Sequence, residues 1–155
     1  MAYIFGMGIN FGDNFTKAQE QAKFIQSNIE DVFASYSVED GECWVTINLF
    51  IFNEIQFKCG NPSSEDEAYA MTAFGWKCYN KILPLIEGWY FAAVGVETTG
   101  FRTIKEIIEL IDGSNINYPG LVISSEMKNA LTKSVFLQQY IPGYWWSPYL
   151  GESYG

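Results

Sequence analysis

The run Asp40-Gly-Glu-Cys-Trp-Val-Thr-Ile-Asn-Leu-Phe-Ile-Phe-Asn-Glu-Ile-Gln-Phe-Lys-Cys59 decides the fold class. Between Cys43 and Phe52 it is dominated by β-branched, aromatic and other apolar residues, which suit a pleated, buried strand. It opens on Asp40-Gly41, a dipeptide that readily takes the backbone of a tight turn. Apolar side chains fall on both alternating faces, so the segment reads as a central strand covered on both sides. A turn at Asn53-Glu54 folds its far end into a hairpin; without that turn the strand runs on, bent, to Cys59.

Helices flank this strand on both sides. Upstream, Phe15, Ala18, Ala22, Ile25, Ile29 and Val32 recur every three or four residues, which predicts a helix over 15–35, opened by Thr16 with Gln19 as a capping box. Residues 2–10 read as a first strand. Downstream, Ser64 with Glu67 marks a second helix start, and the acids at 65–67 suit the positive end of its dipole. Its apolar face is Ala68, Met71, Phe74, Cys78 and Ile82. Gly75 lies inside it against propensity, and Pro84 should end it. Residues 89–96 read as another buried strand.

Thr103 with Glu106 opens a third helix, whose apolar face is Ile104, Ile107, Ile108 and Ile111 and whose expected cap is Gly113. A short strand over 121–123 leads into a short helix from Ser124 to about Leu131. Residues 136–155 read as an irregular aromatic tail. The expected architecture is a single α+β domain over 1–155. It has a mixed, mostly antiparallel sheet packed against three or four helices, with the tail folded back on the core. A ferredoxin-like βαββαβ beginning follows if Asn53-Glu54 turns the chain.

Composition excludes several chemistries. The 155 residues contain no histidine, so neither a Ser-His or Cys-His relay nor a His-containing zinc site can form. Arg102 is the one arginine, and nine Lys+Arg face eighteen Asp+Glu for a formal net charge of −9. That field repels phosphate backbones and anionic lipid heads, so neither nucleic acid nor membrane is expected as a partner. The first residues lack a basic segment followed by an extended apolar run, and no apolar stretch has membrane-spanning length. Cys43, Cys59 and Cys78 are odd in number without a CxxC spacing, so they read as reduced, buried thiols of a cytoplasmic protein.

The glycines of Gly6-x-Gly8-x-x-x-Gly12 lie between a strand and a helix. They miss the dinucleotide spacing by one residue, and they read as turn or packing glycines. Glu39, Asp40 and Glu42 cluster about the Asp40-Gly41 turn as a candidate contact for a basic partner. Tyr144, Trp145 and Trp146 form the second candidate contact, since aromatic residues bring large area with few rotatable bonds. An enzyme without histidine would work through carboxylates, tyrosines or a cysteine, with Glu54, Glu87 or Glu97 as the candidate carboxylates near a cleft.

No cofactor or metal is expected. The expected function is that of a non-enzymatic, intracellular protein-binding domain. It would act as an acidic inhibitor or immunity-type protein that neutralises a basic partner such as a toxin or nuclease. The alternatives are a structural or assembly subunit, homo-oligomeric or part of a larger complex, and an enzyme working through carboxylates.

Overall fold

The structure, a computed structural model, describes residues 4–95, 102–114, 118–132 and 137–154. The expectations that fall on Ala2, Tyr3, Val96, Glu97, Phe136 and Gly155 lie outside the described residues. The chain forms an α+β domain around one antiparallel sheet.

Its first half runs β1 (Gly6–Asn10), α1 (Phe15–Asn28), β2 (Val32–Glu39), β3 (Glu42–Ile51), β4 (Glu54–Ile55), α2 (Glu65–Lys77) and β5 (Phe91–Gly95). The second half adds α3 (Ile104–Ser114), β6 (Val122–Ser124), α4 (Ser125–Ala130), β7 (Gln138–Gln139) and β8 (Tyr144–Trp146). The strand order is β2-β3-β1-β5-β6-β8-β7, with the short β4 paired to β3. Reading β1-α1-β2-β3-α2-β5, the first four long strands have the ferredoxin-like order, and β6, β8 and β7 extend the sheet beyond it.

That topology arises from different strands than the sequence pattern indicates. The helix expected over 15–35 ends at Asn28, and the backbone then turns through Asp31 at φ 61° into β2. Ile29 and Val32 continue the helical spacing, but Val32 is already the first residue of β2 and is buried there. Asn14 caps the helix instead of Thr16, its side chain accepting from the Lys17 N–H. The principal hairpin therefore turns at Asp40-Gly41 between β2 and β3. A second, smaller hairpin turns one residue earlier than expected, at Phe52-Asn53.

Period-two alternation splits the sheet between two cores. Met7, Ile9, Cys43, Val45, Ile47, Ala92, Val94, Val122 and Trp146 face one side, where α1 contributes Ala18, Ala22 and Ile25 and α2 contributes Met71 and Phe74. Trp44, Phe91, Ala93 and Ile123 face the other side, under Ile107 and Ile111 of α3 and Met127 of α4. Each helix begins on a side-chain cap: Ser64 accepts from Glu67 N–H, Thr103 and Glu106 cap each other, and Ser124 accepts from Met127 N–H. Gly113 lies within α3, which runs to Ser114.

Past Lys77 the helix does not stop. It widens into a π turn over Cys78–Ile82 and tightens into a 3-10 turn over Leu83–Leu85. The π turn carries Tyr79, which is fully buried. Its hydroxyl accepts from the Val94 N–H (2.9 Å) and donates to the Gly120 carbonyl (2.5 Å). Burial raises its pKa well above the ordinary phenol range, and the neighbouring Cys78, Tyr149 and Tyr140 add to the shift.

The tail is less irregular than expected, because Tyr144–Trp146 pair with β6 as strand β8. Tyr144 stacks on Trp89 with ring centroids 3.8 Å apart and donates to the Trp89 carbonyl (2.7 Å). Further along, Tyr149 lies on α2 where Gly75 has no side chain. Thr72 then clasps the chain, accepting from Glu152 N–H (2.7 Å) and donating to its carbonyl (3.3 Å).

Gly75→Ala separates helix propensity from tail docking. Propensity alone makes alanine better by about 1 kcal/mol. Its Cβ, however, falls 2.7 Å from Tyr149 Cε1. Urea unfolding should therefore show a net loss of roughly 1–3 kcal/mol, the usual cost of overpacking. Tyr79→Phe should cost about 1–3 kcal/mol by stranding a buried donor and acceptor. Hydrogen exchange should locate that loss at the Val94 amide.

Candidate functional site

Asp40 and Glu42 lie at the mouth of a cleft of about 490 Å³. Its wall is assembled from separate elements: Gly12 and Asp13 after β1, the Asp40-Gly41 turn, Tyr90 before β5, Ile104 and Ile108 of α3, and Glu126 and Met127 of α4. Four carboxylates thus meet an apolar wall, and the described lining residues include no lysine or arginine.

Each position follows from local structure. Asp40 is the first turn residue, with φ 52°, and Gly41 follows at φ 80°, so the pair forms the two-residue turn that the dipeptide implies. Glu39 pairs with Glu42 across the last rung of β2 and β3. Glu39 and Asp40 are exposed, while Glu42 is half-buried. The Glu42 carboxylate is held through one oxygen. Oε1 accepts from Asn10 Nδ2 (2.9 Å) and from the Ile104 N–H (3.0 Å) at the start of α3. A carboxylate there suits both the free amide and the dipole of the helix. Asn10 is fully buried and in turn accepts from Gly12 N–H (2.7 Å). Among the described residues Oε2 of Glu42 has no hydrogen bond.

The cleft is electrostatically one-signed. The Tyr90 phenol titrates above its ordinary range, first because of burial and then because Glu126, Asp13 and Glu42 oppose a second negative charge. Among the described residues no group of three or more Cys, Asp or Glu side chains converges closely enough to hold a metal ion. Glu87 lies outside the cleft in an ion pair with Lys17 (2.8 Å), and exposed Glu54 belongs to the β3–β4 hairpin. The described carboxylates considered for catalysis therefore do not share one site.

The aromatic candidates take part in the fold itself. Trp146 is buried against Tyr79, Tyr140 and Trp76. Tyr144 is stacked on Trp89, and Trp145 packs over the α3–α4 core with Lys128 4.5 Å from its ring centroid. Their rings pack within the domain, Tyr144 and Trp145 remaining half-buried like Glu42, which leaves Glu39 and Asp40 as the exposed part of the expected contact.

Cys43 and Cys78 are buried, and burial raises the pKa of both thiols, which keeps them protonated. Cys59 departs from expectation. It is exposed, because the chain leaves the sheet after β4 and turns through Phe57 at φ 60°. Gly12 is the glycine of the Gly6-x-Gly8 segment that borders the cleft, at φ 60° and with no room for a Cβ beside the Tyr90 ring. Its role there is close approach of backbone to an aromatic ring.

No protein-family model matches the chain, and neither a curated protein nor a solved structure matches it. Among the described residues no helix is long and apolar enough to cross a membrane.

Tyr90 offers a direct reading of the field in the cleft. Its raised pKa means that the neutral phenol is favoured in the folded state. The corresponding stability is fully present below about pH 10 and is lost as pH rises through the folded value. Glu126→Gln and Asp13→Asn should each lower that value, followed by the ring-carbon NMR shift of Tyr90. An unmoved titration would mean that these carboxylates do not act on the phenol.

Proposed function

We propose that the chain is a non-enzymatic protein-binding domain whose acidic cleft receives lysine or arginine side chains of a basic partner. An inhibitor or immunity-type protein acting on a basic toxin or nuclease has this character. The observation that carries the reading is the cleft itself: Asp13, Asp40, Glu42 and Glu126 around an apolar wall of Ile104, Ile108 and Met127. A long basic side chain matches that combination, laying its aliphatic stem on the wall and its charged head among the carboxylates. The net charge of −9 adds long-range attraction for the same partner.

The residues divide between structure and contact. Glu42 holds α3 to the sheet, so its replacement disturbs the fold as well as any complex. Asp40 and Glu126 are exposed and line the mouth, so they carry the test.

Affinity capture from native lysate at about 50 and about 500 mM salt brackets the screening range of such a contact. A stoichiometric basic protein should be retained at the lower concentration and released at the higher. With that protein purified, Asp40→Lys combined with Glu126→Lys should slow association roughly tenfold at low salt and flatten its salt dependence. An unchanged rate and affinity would remove the cleft from the interaction.

A further inference from the structure

At the opposite end of β3 from the acidic turn, the chain reverses at Phe52-Asn53, with both residues in left-handed backbone at φ 55° and 60°. Two-residue hairpins of this geometry favour Asn-Gly or Asp-Gly, because a bulky side chain is strained at positive φ. Asn53 fits its position. Phe52 does not, and packing does not compensate it: the side chain is 91% exposed. Neither turn chemistry nor core burial accounts for a phenylalanine here.

We infer that the tip of the β3–β4 hairpin is a contact surface, with Phe52 as the anchor, for a partner protein offering an apolar pocket rimmed by lysine or arginine. Phe33 of β2 and Phe50 of β3 extend the aromatic surface on one face of the sheet. Their ring centroids are 5.9 Å apart, and Phe33 remains 40% exposed. The rim specifies the charge of the partner. Glu30, Asp31 and Glu54 are exposed around this end, and the Phe50 N–H bonds the Asp31 carbonyl (2.8 Å). Lys77 also reaches here, its Nζ donating to the Glu30 carbonyl (2.7 Å), so its one positive charge stands against the three carboxylates. A second copy of the chain would bring acids against acids at a net charge of −9 each. An aromatic residue held on a short, rigid turn loses little freedom when it enters a pocket, which suits an anchor.

This surface is independent of the acidic cleft, and variants at Asp40 and Glu126 leave it intact. The full chain carrying the photoreactive analogue p-benzoylphenylalanine at position 52 should be irradiated in its native cells and the cross-linked peptide mapped. The expected product joins position 52 to an apolar segment flanked by lysine or arginine, and Glu54→Lys should reduce its yield several-fold. With the purified cross-linked protein, Phe52→Asn should weaken affinity at least about tenfold. The same substitution should raise the melting temperature by roughly 2–4 °C, because asparagine tolerates the left-handed turn. Equal affinity of the variant overturns the inference. So does cross-linking only to other copies of the chain, transfer into phosphatidylcholine vesicles, or a yield no greater than with the label at Tyr69, an exposed helix position.

Discussion

The Tyr79 hydroxyl is the point on which the two halves of the sheet depend. Strand β6 pairs with β5 only through Phe91 and Ala92, so Val94, paired with Met7 of β1 on one side, meets no residue of β6 on the other. The phenol fills that place by accepting from the Val94 N–H and donates its own O–H to the Gly120 carbonyl, just before β6 begins. Each buried hydrogen bond is worth only about 1 kcal/mol net, but a vacant partner costs more than the bond returns. The position of Tyr79 is therefore tightly constrained. Gly120, at φ 92°, has the phenol oxygen where a Cβ would sit. Tyr140 donates to the Tyr79 backbone carbonyl, and Trp146 and Tyr149 pack against its ring.

This arrangement explains why so aromatic a tail belongs to the domain. The ferredoxin-like half ends its sheet at β5, an open edge that would otherwise invite pairing with other chains. Strands β6, β8 and β7 cover that edge, and β8 also delivers aromatic rings to both cores: Trp146 to one face and Trp145 to the other. Tyr149 then reaches across to α2, where only a glycine leaves it room. The aromatic run that resembles a binding surface in isolation is the element that closes the second half of the fold.

Much of this was legible in the residues. Three of the helix starts carry their caps in the sequence, and the buried face of the second helix, including Cys78 and Ile82, follows directly from its spacing. Strand β2 was not legible, because Ile29 and Val32 extend the helical period past Asn28, and the break lies in the backbone: Ile29 is extended and Asp31 left-handed. Tyr79 gave no signal either, since a π turn shifts the register of a helix without changing its composition. At the site, Asp40 and Glu42 were visible from their turn. Asp13, Tyr90 and Glu126 come from distant parts of the chain, and only the sheet order brings them to the same cleft.

The hairpin of β2 and β3 thus carries two surfaces of different character at its two ends. At one end, carboxylates surround a concave apolar wall and act over distance as well as in contact. At the other, a strained and exposed phenylalanine projects beyond a rim of acids and contributes only on contact. Long-range charge chiefly sets how fast partners meet, whereas a buried aromatic anchor chiefly sets how slowly they part. If both ends bind as proposed, they are separable by kinetics: charge reversal at Asp40 and Glu126 would act on association, and removal of the Phe52 ring on dissociation. A single basic protein spanning the hairpin would feel both, and its rate constants would report each end without reference to the other.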